Sequence, residues 1–192
     1  FYRTVTGPMT AGGVATLTLT ERYLYGPKLT KPGSAHNLPH LGKGLRWLDE
    51  NFKLYDDSDT TADWFYYMWT IQRVGQATGY RTFNGIDWFR QVTAEMLNRQ
   101  QPDGLWQDPS GKQGKLLSTG FALLYLSSAL EPIAVAKIRF DGNWNNRPHD
   151  LWNFVDHASD RYEVPTTWQV ADLSQPVYQL MDSPLLYLAS DE

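Results

Sequence analysis

Gly44-Leu45-Arg46-Trp47-Leu48 returns, about 40 residues further on, as Gly85-Ile86-Asp87-Trp88-Phe89. Each copy is followed by a hydroxyl-led, aromatic-rich apolar segment, Thr60 to Val74 after the first and Ser118 to Leu130 after the second. Self-similarity at a spacing of roughly 20–50 residues marks stacked supersecondary units. Here the unit reads as a helical hairpin, which makes the first two-thirds of the chain a piece of helical-repeat scaffold.

Working outward, Met9 to Leu24 reads as a helix. Its Thr16, Thr18 and Thr20 alternate with Leu17 and Leu19 in a strand-like way, and the repeat context decides for helix. His40 to Phe52 carries Leu41, Leu45, Leu48 and Phe52 at helical spacing. A third helix is expected from Thr60 to Ala77. It holds Trp64, Phe65, Tyr66, Tyr67, Met68, Trp69 and Ile71, apolar on nearly every side, and Gly79 closes it. Asn84 to Gln100 and Leu116 to Leu130 complete the helical part, with Pro102-Asp103-Gly104-Leu105-Trp106 as the turn between them.

The character changes at Pro132. Ala134, Ala136, Ile138 and Phe140 alternate with Val135, Lys137 and Arg139, a period of two. Pro148 opens a helix whose apolar face is Leu151, Trp152, Phe154 and Val155. Trp168 to Leu173 is a second strand, Val177 to Met181 a short helix and Pro184 to Ala189 a third strand. Strand, helix, strand, short helix, strand is the pattern of a parallel sheet. The expected fold is mainly α, a partial α/α toroid over residues 1–131, followed by a small βαβ-type α/β segment over residues 132–192.

Composition bounds the function. With 42% hydrophobic and 20% charged residues among 192, a packed core is expected. The 8 Trp and 11 Tyr suit bulky core packing or an apolar ligand cavity equally well. A net charge of −4 and the lack of a basic stripe argue against nucleic acid as a partner. No apolar run approaches the roughly 20 residues that span a bilayer. There are 0 cysteines, which excludes disulfides, thiolate zinc sites and a Cys nucleophile.

Gly85-Ile86-Asp87-Trp88, running through Gln100-Gln101 to Gly104-Leu105-Trp106, resembles the Gln/Trp-type repeat of terpenoid cyclases and protein prenyltransferases. That resemblance implies an α/α toroid of inner and outer helices over about residues 9–131. The long interval between Trp88 and Gln100 is closer to a bacterial family of prenyltransferase-like repeat proteins. In these the repeats lead into an uncharacterised domain with a glutamine-amidotransferase-like α/β fold. Asn143-Trp144, Trp168-Gln169-Val170 and Asp182-Ser183-Pro184-Leu185-Leu186-Tyr187-Leu188 resemble the start of that domain. The resemblance also implies an exported, periplasmic location. Two and a half hairpins do not close a toroid, so further repeats are expected upstream. The start at Phe1-Tyr2-Arg3 and the stop at Ala189-Ser190-Asp191-Glu192 are read as cuts through a longer protein.

Asp57-Ser58-Asp59-Thr60-Thr61-Ala62 is similar to the Asp-x-Asp-Asp-Thr-Ala motif of squalene-hopene cyclases, with Thr60 in place of the third acidic residue. By that match Asp59, with Asp57 beside it, would be the acid that protonates a polyprene. Trp64, Tyr67 and Trp69 would line the cavity and steady carbocations. The plainer reading is that Asp57, Ser58 and Asp59 cap the following helix and the aromatic run is core. No third ligand stands at suitable spacing beside His36 and His40, or beside His149 and His157, so no metal site is expected. No cofactor is implied. In the α/β part Asn143 and Ser190, following strands, could touch a ligand or simply serve turns. The expected function is a non-catalytic or uncharacterised helical-repeat scaffold that binds an apolar small molecule or a protein partner. The alternatives are a cyclase using Asp59 and an isoprenoid or lipid carrier.

Overall fold

The computed structural model describes residues 5–26, 39–55, 64–108, 110, 113–128, 130–174 and 176–190. Five helices come first: α1 (Gly7–Tyr25), α2 (Pro39–Asn51), α3 (Trp64–Thr78), α4 (Trp88–Asn98) and α5 (Lys115–Ser128). A short hairpin, β1 (Thr82–Phe83) and β2 (Ile86–Asp87), sits between α3 and α4. Then follow β3 (Ile133–Arg139), α6 (Asp150–Tyr162), β4 (Thr167–Asp172), α7 (Val177–Met181) and β5 (Leu185–Tyr187). The fold is mainly helical with a small parallel sheet.

The threonine-rich middle of α1 is helical. The hydroxyls of Thr10, Thr16, Thr18 and Thr20 each donate to the carbonyl four residues back. This satisfies the polar atoms, while Ala11, Val14 and Ala15 bury in the helical core and outweigh the weak helix preference of threonine. Helix α3 lies between α1 and α5, with α2 packed on α1 and α4 on α3. Its Phe65, Met68, Ile71 and Val74 are fully enclosed. Phe52, Phe83 and Met96 join them in one core.

The two copies of the glycine-tryptophan pattern occupy different structures. Gly44 to Leu48 lies inside α2, whereas Gly85 to Asp87 belongs to the hairpin and α4 begins only at Trp88. Asn84 and Gly85 both take positive φ, 52° and 70°. That Asn-Gly turn pairs Thr82 with Asp87 and Phe83 with Ile86. The helix expected from Asn84 is therefore shortened at its start, and Asp87 caps it by accepting the Arg90 N–H at 3.0 Å.

The sheet has the order β4-β3-β5 and both pairings are parallel. Helix α6 links β3 to β4, and its Leu151, Trp152 and Val155 pack on Val135, Trp168 and Val170. On the other face Ala136, Ile138 and Ala171 meet Leu180. The outer edge of β4 is met by the chain leaving α3, where Gly79 O accepts the Val170 N–H at 2.7 Å. Ala77 and Tyr80 reach into the α6-side core. Residues on either side of position 132 thus share both a core and a backbone hydrogen bond.

Lys137, at the centre of β3, is fully enclosed, and burial pulls its ammonium below the usual lysine range against the opposing pull of Asp150. Its Nζ donates to Asn145 Oδ1 at 3.0 Å, Arg147 O at 2.8 Å and Asp150 Oδ1 at 2.8 Å. All three donors are spent, two on the loop before α6 and one on Asp150 at its first turn, so the lysine fastens that loop and the start of α6 to the sheet.

Helix α1 also meets α6. The Arg22 guanidinium lies 4.1 Å over the Trp152 ring and pairs with Asp156. His149 also stacks on the Trp152 ring, at 5.8 Å, with Nε2 3.9 Å from Glu21 Oε2. Burial first, and Arg22 second, hold the His149 imidazole below its ordinary value of 6.5. A depressed histidine stays neutral in the fold while the unfolded chain takes up a proton. Stability is then full above about pH 6.5 and falls as the pH drops below it. Denaturant titrations from pH 7.5 to 5 should show that decline, and His149→Gln should flatten it. An equal slope in the variant would refute the assignment.

No helix among the described residues is long and apolar enough to cross a membrane.

Candidate ligand crevice

Gly79 decides how the helical layer meets the sheet. It follows the last residue of α3 at φ +73°, the left-handed conformation that ends many helices. A Cβ there would sit 2.6 Å from the Trp168 ring. The glycine therefore lets the chain turn along β4 and lets Trp168 lie against the turn.

Two residues on, Arg81 is nearly enclosed and spends its guanidinium across the junction. Nε donates to Asp87 Oδ2 at 3.0 Å, and Nη1 donates to Gln169 Oε1 at 2.9 Å and Asp182 Oδ2 at 2.6 Å. Asp182 also accepts from Arg90 Nη2 at 3.2 Å, and Arg90 lies 4.6 Å over the Tyr178 ring. Gln169 Nε2 donates onward to Gln179 O at 3.0 Å. Hairpin, α4, β4 and the end of α7 are held by one charged network. Charge-assisted bonds of this kind are roughly twice as strong as neutral ones.

Beside this network a crevice of about 680 Å³ opens between α3, α4 and the amino ends of β3 and β4. Trp88 and Phe89 form one wall, and Ile133, Ala134 and Trp168 form the other. Trp88 is fixed by donation from Nε1 to Tyr80 O at 2.7 Å, and it lies so close to α3 that a Cβ on Gly75 would come within 2.3 Å of its ring. Gln72, Gln76, Arg81, Arg90, Glu131 and Asp182 supply the polar edge. Burial raises the Glu131 carboxyl above its usual range. The Trp168 indole Nε1 is buried without a hydrogen-bond partner. The arrangement offers apolar aromatic walls with a few polar groups among them.

The residues singled out from the sequence fall elsewhere. Asp57 and Asp59 lie outside the described residues. Trp64 is buried in the helical core; its Nε1 donates to Leu54 O at 2.9 Å, its ring meets Phe65 edge-on at 4.9 Å, and the Arg99 guanidinium lies 4.4 Å over it. Tyr67 is buried edge-on to Phe52 at 5.9 Å. Trp69 is half-buried and apart from both, 5.4 Å from Phe121 and 6.1 Å from Tyr66, with Arg73 over its ring at 5.1 Å. None of the three lines the crevice. Among the described residues no three His, Cys, Asp or Glu side chains gather as a metal site.

Sequence reasoning gave Arg81 no role and read Phe89 only as part of the repeated pattern and Ala134 only as part of a strand. Arg81 stands in an unpatterned Tyr80-Arg81-Thr82 stretch, and its partners lie 6, 88 and 101 residues away. Nothing local points to such a cluster. No family model, curated protein or solved structure matches the chain.

Proposed function

We propose that this chain is a non-catalytic helical-repeat binding protein of the prenyltransferase-like toroid class, and that it holds an apolar small molecule between its helices and its sheet. Residues 1–131 form part of the toroid in this reading, and residues 132–192 form the α/β segment that walls the crevice. The alternation of α1, α3 and α5 in one row with α2 and α4 packed outside it is in keeping with inner and outer helices. The observation that carries the reading is the crevice itself: about 680 Å³ walled by Trp88, Phe89, Ile133 and Trp168, with the charged groups Arg81, Arg90, Glu131 and Asp182 in its lining. That volume lies within the roughly 300–1,000 Å³ usual for small-molecule sites. An elongated apolar ligand of the isoprenoid kind, with one polar end toward Arg81 and Arg90, suits these walls, and an isoprenoid or lipid carrier is the specific form the reading favours.

A fluorescent polyprenyl alcohol titrated into the protein tests this. Saturable binding is expected, with quenching of tryptophan emission. Ala134→Phe, which fills the crevice from the sheet side, should weaken it at least tenfold while leaving the melting temperature nearly unchanged. No saturable signal, or equal affinity in the filled variant, would rule the crevice out.

A further inference from the structure

A second cavity, of about 380 Å³, lies against the carboxyl ends of β3 and β4, with α2 as its far wall. Parallel sheets bind ligands beyond the carboxyl ends of their strands. Here β3 ends in Arg139 and β4 in Asp172, while α2 supplies Arg46 and Asp49 and the chain after α3 supplies Tyr80.

The charges in this cavity are unequally spent. Asp49 Oδ1 accepts the Asn84 N–H at 3.2 Å. Asp172 accepts the Ser174 hydroxyl at 2.7 Å, the Ser174 N–H at 2.9 Å, and Nε and Nη2 of Arg139 at 2.9 and 2.8 Å. These donors, the Ser174 hydroxyl foremost, hold the Asp172 carboxyl down to about 2. Asp172 is thus neutralised by Arg139, and Asp49 is held by the one backbone N–H. Among the described residues Arg139 pairs with Asp172 through Nε and Nη2, and no partner is met by Nη1. Arg46 makes no hydrogen bond or ion pair among the described residues, so its five donors are available. Burial raises the Tyr80 phenol, which keeps it protonated as a donor at neutral pH.

We infer that this cavity is a second binding site, for a small molecule bearing an oxyanion, with the phosphate or carboxylate held between Arg46 and Arg139 and within reach of the Tyr80 hydroxyl. Guanidinium forks match the geometry of both anions and bind them in pairs of parallel bonds. Leu45 offers an apolar surface for the rest of a molecule about the size of an aryl phosphate.

Isothermal titration calorimetry with phenyl phosphate tests the inference, with phenol and sodium chloride at equal ionic strength as controls. One-to-one binding of phenyl phosphate is expected, with no saturable heat from either control. Arg46→Gln, at an exposed position where folding is not at stake, should raise Kd roughly tenfold or more. Arg139→Gln should do the same. Ala134→Phe should leave this binding unchanged, so failure of the crevice and failure of this site are read separately. Absence of phenyl phosphate binding, a response matched by sodium chloride, or unchanged affinity in Arg46→Gln overturns the inference.

Discussion

Gly79→Ala is expected to cost about 3 kcal/mol. Two penalties add. A residue with a Cβ pays on the order of 1–2 kcal/mol in the left-handed region, and φ here is +73°. The new methyl would also meet Trp168 ring carbons at 2.6 Å, and overpacking of that kind costs about 1–3 kcal/mol. No helix-propensity gain offsets either, because α3 ends at Thr78. For a chain of this length the loss should lower the melting temperature by roughly 10 °C. It should also loosen the bond from the Val170 N–H to Gly79 O, so that amide should exchange faster with deuterium. A variant that melts within a degree or two of the parent would show that the turn and Trp168 do not meet as described.

Arg81→Met should be comparably severe. It removes the cation from Asp87 and Asp182, whose carboxylates lie 3.0 and 2.6 Å from it, and takes a donor from Gln169. Breaking a buried pair by deleting one partner costs about 3–5 kcal/mol, chiefly because the remaining charge is left buried. The lower end applies, since Asp182 keeps Arg90. Asp87 is the exposed weakness: it caps α4 and would be left with only a distant Arg90 contact of 3.8 Å. Adding Asp87→Asn to the Arg81→Met variant should recover part of the loss, because the amide still accepts the Arg90 N–H without bearing an uncompensated charge. Strictly additive losses in urea titrations would show the two residues to be uncoupled.

Much of the fold was legible where one period ran long enough to be read. The alternation from Ala134 to Phe140 became β3, Trp168 to Leu173 became β4, and Val177 to Met181 became α7. Gly79 was legible as a helix end because only a residue without a side chain takes that turn freely. The hairpin at Asn84-Gly85 was missed because strands of two residues carry no period, although the Asn-Gly pair is itself a hairpin sign. The candidate site was barely legible. An aromatic run such as Trp64 to Trp69 shows that a helix is enclosed, not which rings face a cavity. Here Trp64 and Tyr67 turned into the core, and the crevice took Trp88, Phe89 and Trp168 from three separate elements. Pairings like that of Arg81 with Asp182 depend on tertiary contacts that no local pattern encodes.

Photo-crosslinking with a benzophenone-bearing polyprenyl alcohol, followed by mass spectrometry of the peptides, tests the binding reading most directly. Adducts are expected on the segments holding Trp88 and Phe89, on Leu130 to Ala134 and on Thr166 to Gln169, and excess unlabelled polyprenol should suppress them. Adducts gathered instead around Tyr66, Trp69 and Phe121, or labelling that competitor does not reduce, would contradict it.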